Sequence, residues 1–232
     1  MRARFRFDPA LSLFLQPGKR NSEFEYDCAR AATLKNAIEA LGVPHTEVGA
    51  LRVNGAPATL QRTVRAGDEV QVEARKCGSD PDLRFVADAH LGGLARFLRM
   101  LGFDTLYRND FSDEEIRRLA EIERRIVLTR DRELLKCREV VRGAYVRALK
   151  PEAQLREVAA RFALSGAARP FSLCLACNLP LEKVAKSEIA SRVPPQVYVL
   201  HERFVRCPGC LGVFWPGSHY ERMRAALGPS LG

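Results

Sequence analysis

No apolar run in the sequence approaches the ~18–20 residues needed to cross a bilayer. The opening, Met1–Phe7, alternates basic and apolar residues and lacks the unbroken apolar core of a signal peptide. A soluble, cytoplasmic protein with no membrane partner is therefore expected. An even cysteine count is missing too: there are seven, which argues against a complete disulfide framework. Internal repeats and long low-complexity tracts are absent, so solenoids and flexible arrays are not expected. Acids are in short supply, 28 against 37 Lys+Arg, for a net charge of +9. Such an excess draws polyanions, and nucleic acid is the commonest of them, although arginine-rich codon usage would give the same bias.

What is present divides into three segments. Residues 1–76 open on alternating Phe5 and Phe7, a strand pattern. A helix follows, with Thr33 as N-cap, apolar Leu34, Ala37, Ile38 and Leu41 at helical spacing, and Gly42 and Pro44 to end it. Leu51–Val53 runs into an Asn54-Gly55 turn, and Ala66-Gly67-Asp68 feeds a last alternating strand. Strands around one helix in so short a length imply a β-grasp.

The polar, turn-rich stretch beginning at Cys77 marks a boundary. In 83–165 strands and helices alternate: strands at 85–87, 105–107, 126–129 and 144–149, and helices at 90–101, 112–124, 131–137 and 151–162. That order predicts a parallel sheet covered on both faces, a three-layer α/β arrangement. The third segment, 170–224, holds two C-x-x-C pairs and strands at 197–200 and 204–206.

Ligand sites of open parallel sheets lie at the carboxyl ends of the strands. Asp88 ends the strand at 85–87, Asp110 follows the next strand, Asp113 and Glu114 open a helix, and Asp131 follows the strand at 126–129. Carboxylates gathered at strand ends repel unless a divalent cation lies between them, and Mg²⁺ or Mn²⁺ prefers such oxygen ligands. Ions there would activate water against a phosphodiester. Simpler roles compete: Asp113 and Glu114 favour a helix N-terminus, and Asp131 suits an N-cap. Glu152, opening the last helix, is a further acid to consider. His90 is close to Asp88, but a two-metal site needs no histidine. Arg96 and Arg99, three apart on one helix, and Arg130 are candidates to hold phosphate.

Cys174/Cys177 and Cys207/Cys210 form two C-x-x-C knuckles separated by residues 178–206, a pattern for a structural tetrahedral Zn²⁺ site with no open position. After the last cysteine, Trp215, His219, Tyr220 and Arg222 mix aromatic and basic groups and are candidate RNA contacts. Packing of Trp215 beneath the ribbon is the competing reading.

Two resemblances sharpen this picture. Val53-Asn54-Gly55 with Gly67-Asp68-Glu69-Val70 resembles the sulfur-carrier branch of the ubiquitin-like families, but here Glu73–Lys76 runs on into more chain. With no terminal Gly-Gly carboxylate, a binding role toward a protein partner is expected. Residues 85–104 (FVADAHLGGLARFLRMLGFD), 126–135 (IVLTRDRELL) and the ending from Val213 resemble the Mut-seven carboxy-terminal RNase family. The resemblance implies a PIN-like nuclease followed by a zinc ribbon, often with a ubiquitin-like domain in front. It also implies a divalent-metal ribonuclease with Asp88 and Asp131 in its acidic cluster. RNA, including structured RNA such as tRNA, is the expected substrate; a non-catalytic RNA-binding adaptor is the alternative.

Overall fold

The computed structural model describes residues 1–76, 78, 82–170, 172–218, 220, 221 and 225. In chain order the first strands and helices are β1 (Arg2–Phe7), β2 (Glu23–Asp27), α1 (Leu34–Ala40), β3 (Val48–Val53), β4 (Ala56–Ala58) and β5 (Glu69–Ala74). Then come β6 (Phe85–Ala87), α2 (Gly92–Met100), β7 (Thr105–Leu106), α3 (Asp113–Glu123), β8 (Ile126–Thr129), α4 (Arg132–Lys136), β9 (Gly143–Tyr145) and α5 (Pro151–Phe162). The last are β10 (Glu182–Val184), α6 (Pro195–Leu200), β11 (Phe204–Arg206) and β12 (Val213–Phe214). The chain is mixed α/β and divides into two compact units. The first joins Met1–Lys76 to Asp113–Tyr145; the second joins Cys77–Ser112 to Val146–Gly232.

In the first unit, strict alternation in β1 sends Ala3, Phe5 and Phe7 inward and the arginines between them outward. The sheet runs β2-β1-β5-β3-β4, with β1 and β5 parallel and the other pairs antiparallel. A parallel centre between two hairpins is a β-grasp-like arrangement. Helix α1 crosses this sheet and buries Leu34, Ala37 and Ile38. Its start is a reciprocal cap in which Thr33 Oγ1 accepts from Asn36 N–H at 3.2 Å. Its end needs Gly42, whose φ is +106° and where a Cβ would lie 2.5 Å from the Phe14 carbonyl oxygen. The turn from Arg65 to Asp68 is fixed by a buried carboxylate. Asp68 accepts from Arg62 Nη1 at 2.6 Å, Arg62 Nη2 at 3.0 Å, Arg65 N–H at 2.7 Å and Asn54 Nδ2 at 3.3 Å.

The rest of this unit is carried on the same body. Fully buried β8 pairs in parallel with β9, placing Val127 opposite Gly143 and Thr129 opposite Tyr145. Tyr145 N–H donates to Glu47 Oε1 at 2.8 Å, and His45 Nε2 lies 3.0 Å from the Val140 carbonyl oxygen. The Arg132 guanidinium donates to Leu13 O at 2.9 Å and sits over the Phe14 and Tyr145 rings. The β-grasp therefore reaches α4 and β9 through buried polar groups as well as aromatic contact.

In the second unit, fully buried β6 pairs in parallel with β7, Phe85 opposite Thr105. Helix α2 buries Leu94, Ala95 and Leu98, while Phe85 meets Phe103 and Phe162 edge-on. Helices α2 and α5 approach so closely at Gly93 that a Cβ there would lie 2.6 Å from Pro151 Cγ. The three antiparallel strands β10-β11-β12 cover a small core of Ile189, Val193 and Phe204, with Trp215 packed against it.

Two sequence expectations change. Val197–Leu200 was expected as a strand, since β-branched residues favour one, but it is helical. The pair Pro194-Pro195 starts a helix there, with proline in the first turn where its missing N–H costs nothing. The strand expected over 144–149 stops at Tyr145, because Arg147 N–H and Ala148 N–H turn to the Glu157 carboxylate at 3.0 and 2.9 Å. Among the described residues no helix is long and apolar enough to cross a membrane.

Candidate metal centre and the acidic strand ends

The two C-x-x-C segments adopt the same local structure. Cys174 N–H donates to Leu179 O and Cys207 N–H to Gly212 O, five residues on in each case. Asn178 N–H returns to Cys174 O and Leu211 N–H to Cys207 O, both at 2.9 Å. These turns place Asn178 (φ 59°) and Leu211 (φ 60°) in the left-handed region at matching positions. Such turns aim backbone N–H groups at sulfur, and Cys177 N–H lies 3.4 Å from Cys174 Sγ.

All four sulfurs lie within 4.8 Å of one another, and Cys174 Sγ is 3.7 Å from Cys210 Sγ. A tetrahedron with Zn–S bonds of about 2.3 Å needs sulfurs about 3.8 Å apart, so the donor set fits Zn²⁺ in number, softness and spacing. The thiols are also poised unequally. Burial pushes Cys174 up, and the neighbouring Cys210 sulfur pushes Cys177 up to about 12. Burial works in the same direction at Cys207, yet the backbone N–H groups of Cys210 and Gly209 bring it down to about 7.

The first knuckle is tied to α2 and β7. Arg99, only 5% exposed, donates from Nη1 to both Leu175 O and Ala176 O at 2.9 Å, and from Nε to Thr105 O at 2.9 Å. Burial lowers its pKa, and the neighbouring Cys174 opposes that shift. Asn178 completes the tie, accepting from Thr105 N–H at 3.1 Å and donating to Asp104. Arg99 was expected to hold phosphate; its donors are directed instead at backbone carbonyls of the knuckle. Neither the role of Asn178 nor that of Arg99 carries a local sequence signal, because their partners are some 75 positions away in the chain.

The acids occupy different settings. Asp88 directly ends β6, is 9% exposed, and holds the following turn through its carbonyl, which accepts from Leu91 N–H. Its side chain does not cap that turn. Asp131 does cap: its Oδ1 accepts from Glu133 N–H at 2.7 Å, while Thr129 Oγ1 holds Asp131 N–H. Asp110 has a side chain 71% exposed and accepts from Arg108 Nε at 2.9 Å, and that bond lowers its pKa. Asp113, Glu114 and Glu115 are the acidic first turn of α3, and Glu152 that of α5. Arg96 is exposed on α2, Arg130 is half-buried after β8, and His90 is exposed. Trp215 and Tyr220 are half-buried, Trp215 tilted against Phe204. His219 and Arg222 lie outside the described residues.

A family model described as Mut7-C RNAse domain matches residues 83–227, and one described as Mut7-C ubiquitin matches residues 1–77. Among curated proteins, none matches. Among solved structures, the crystal structure of SAMP1 from Haloferax volcanii is similar to 34% of this chain over 100% of its own, at 20% identity. The TM-score is 0.27.

Proposed function

The chain belongs to the Mut7-C RNAse domain family, and from that premise we propose that it hydrolyses RNA phosphodiester bonds in a divalent-metal-dependent reaction. We read 1–76 as the ubiquitin-like domain, 83–165 as a PIN-like nuclease and 170–224 as a zinc ribbon. The observation that carries the reading is Asp88, a buried carboxyl group at the carboxyl end of a fully buried strand inside the matched RNAse segment.

When bound, Mg²⁺ or Mn²⁺ supplies a Lewis acid and a water of lowered pKa. Asp88 would hold the cation, and the sequence pattern alone adds Asp131 with Asp110 or Asp113 as the further acids. Asp131 is oriented by its own cap, which fixes one oxygen and directs the carboxylate. Arg96 and Arg130 neutralise phosphate charge on the RNA. The four cysteines hold Zn²⁺ as a structural element, with every protein ligand position filled. A cytoplasmic setting, where thiols stay reduced, keeps those cysteines available to the metal. The ubiquitin-like segment serves a protein partner.

A second reading, a non-catalytic RNA-binding adaptor, is favoured by Asp110, which is turned outward into an ion pair with Arg108. The two separate cleanly. Wild type and Asp88→Asn, each with its zinc retained, are incubated with total cellular RNA and Mn²⁺. Cleavage by wild type alone, with both proteins still retaining RNA on a filter, is the expected result. Retention without cleavage by either protein establishes the adaptor.

A further inference from the structure

Two concavities of the second unit share a wall. One, of about 240 Å³, is apolar and lined by Leu173, Leu181, Val213, Trp215 and Tyr220. The other, of about 600 Å³, mixes apolar and polar lining and includes Arg96, Tyr107, Arg108 and Asn109. Phe214 and Leu175 line both, so an aromatic slot and a cationic shelf adjoin as a paired recess on either side of these two side chains.

The recess is built rather than incidental. Leu175 stands where it does because Arg99 holds its carbonyl, and Phe214 because β12 pairs with β11 beside the second knuckle. The shelf keeps a cation exposed at the slot's mouth, since Arg96 projects from the solvent side of α2 while Arg99, one turn on, is buried. Tyr107 is oriented by donating its hydroxyl to Ala89 O at 3.1 Å.

An apolar slot alone would suit a lipid tail or a peptide side chain. Guanidinium groups beside it favour an apolar group attached to an anion, and the Phe214, Trp215 and Tyr220 rings favour a flat one over a flexible chain. In a chain of net charge +9, an unpaired nucleotide has that chemistry: a base with two π faces and a phosphate next to it. Bases locked in a duplex cannot enter, because they are stacked and paired. We infer that this recess is the subsite for one unpaired nucleotide of single-stranded RNA, with the base in the Trp215 slot and its phosphate on Arg96. This deepens the ribonuclease reading and rests on it for the choice of RNA as polyanion.

Trp215 is the chain's single tryptophan, so its emission reports occupancy of the slot directly. The full-length protein is titrated, with no divalent metal added, with three probes. These are a short single-stranded oligoribonucleotide of mixed sequence, the same strand with abasic positions, and a blunt duplex. The intact strand should change Trp215 emission saturably. The abasic strand should bind about tenfold more weakly or worse, the factor lost with one stacked base, and the duplex should leave the emission unchanged. Arg96→Glu, on an exposed helical face and checked for zinc content, should weaken the intact strand by a similar factor.

Equal affinity for intact and abasic strands, or RNA retained on a filter with no change in emission, overturns the subsite. Neither result depends on catalysis. Cleavage in Mn²⁺ without an emission change defeats the slot and leaves the ribonuclease, and an emission change without cleavage does the reverse.

Discussion

The β-grasp segment and the cysteine-bearing ribbon solve the same problem by different means. The first buries a continuous core running from Ala3, Phe5 and Phe7 through Leu34 and Ile38 to Val70 and Val72. The second buries Ile189, Val193 and Phe204, with a few half-buried neighbours. So small a cluster does not offset the entropy of ordering some fifty residues. In the proposed reading Zn²⁺ would supply what that core lacks, at about 10 kcal/mol or more for a four-thiolate site. On that reading one region is stable through apolar area and the other through coordination, and the two should fail under different insults.

Cys207→Ser gives the largest expected effect. It should release zinc and abolish amide-exchange protection across residues 174–214 while leaving strands β1 and β5 protected. Loss of protection in both regions would show that the ribbon holds up the whole chain. Acidification should act in the same direction: metal binding requires thiolates, so zinc retention falls as pH falls.

Phe5→Ala should be the mirror image, costing about 3–5 kcal/mol in the β-grasp and leaving zinc content unchanged, as seen by thermal unfolding beside metal analysis. A smaller loss, about 1–3 kcal/mol, is expected for Asp68→Asn, which replaces one of the two accepting oxygens by an NH2 donor and removes the charge facing Arg62. The Arg62 partner holds the Asp68 carboxyl below its ordinary value. Its contribution is therefore complete above the unfolded carboxyl pKa and disappears as pH falls through the depressed native one, so wild type and variant should converge in acid. Stability curves that stay parallel down to low pH would assign the loss to packing. The smallest effect, about 1 kcal/mol, is expected for Thr33→Ala at the cap of α1, measured by urea denaturation.

The same contrast governs how much could be read from residues in order. Alternation in β1, the Thr33 cap, the Asn54-Gly55 turn and both C-x-x-C pairs are local patterns, and each appears in the structure where the pattern implies it. Strand β2 was missed because Glu23–Asp27 alternates acids with two aromatics that are only half-buried, a weak signal on an edge strand. Val197–Leu200 misled through β-branched residues, whose preference yielded to the proline pair before them.

Arg96 and Arg99 show the limit at the site itself. Three residues apart places them about 60° apart around a helix, close enough to share a face on paper. That angle is also enough to leave one in solvent and bury the other against a knuckle distant in sequence. Charge was readable; burial was not, since it depends on which segment docks there.

In the proposed reading oxygen and sulfur ligands divide the labour, carboxylates for chemistry and cysteines for structure. The most direct test of that division is RNA cleavage measured against added Mn²⁺ on protein whose zinc content is quantified in the same sample. Activity that rises with Mn²⁺ at constant zinc, and stays absent in Asp88→Asn at the same zinc content, is the predicted result. Activity that follows zinc content, ignores Mn²⁺ and survives Asp88→Asn would contradict it.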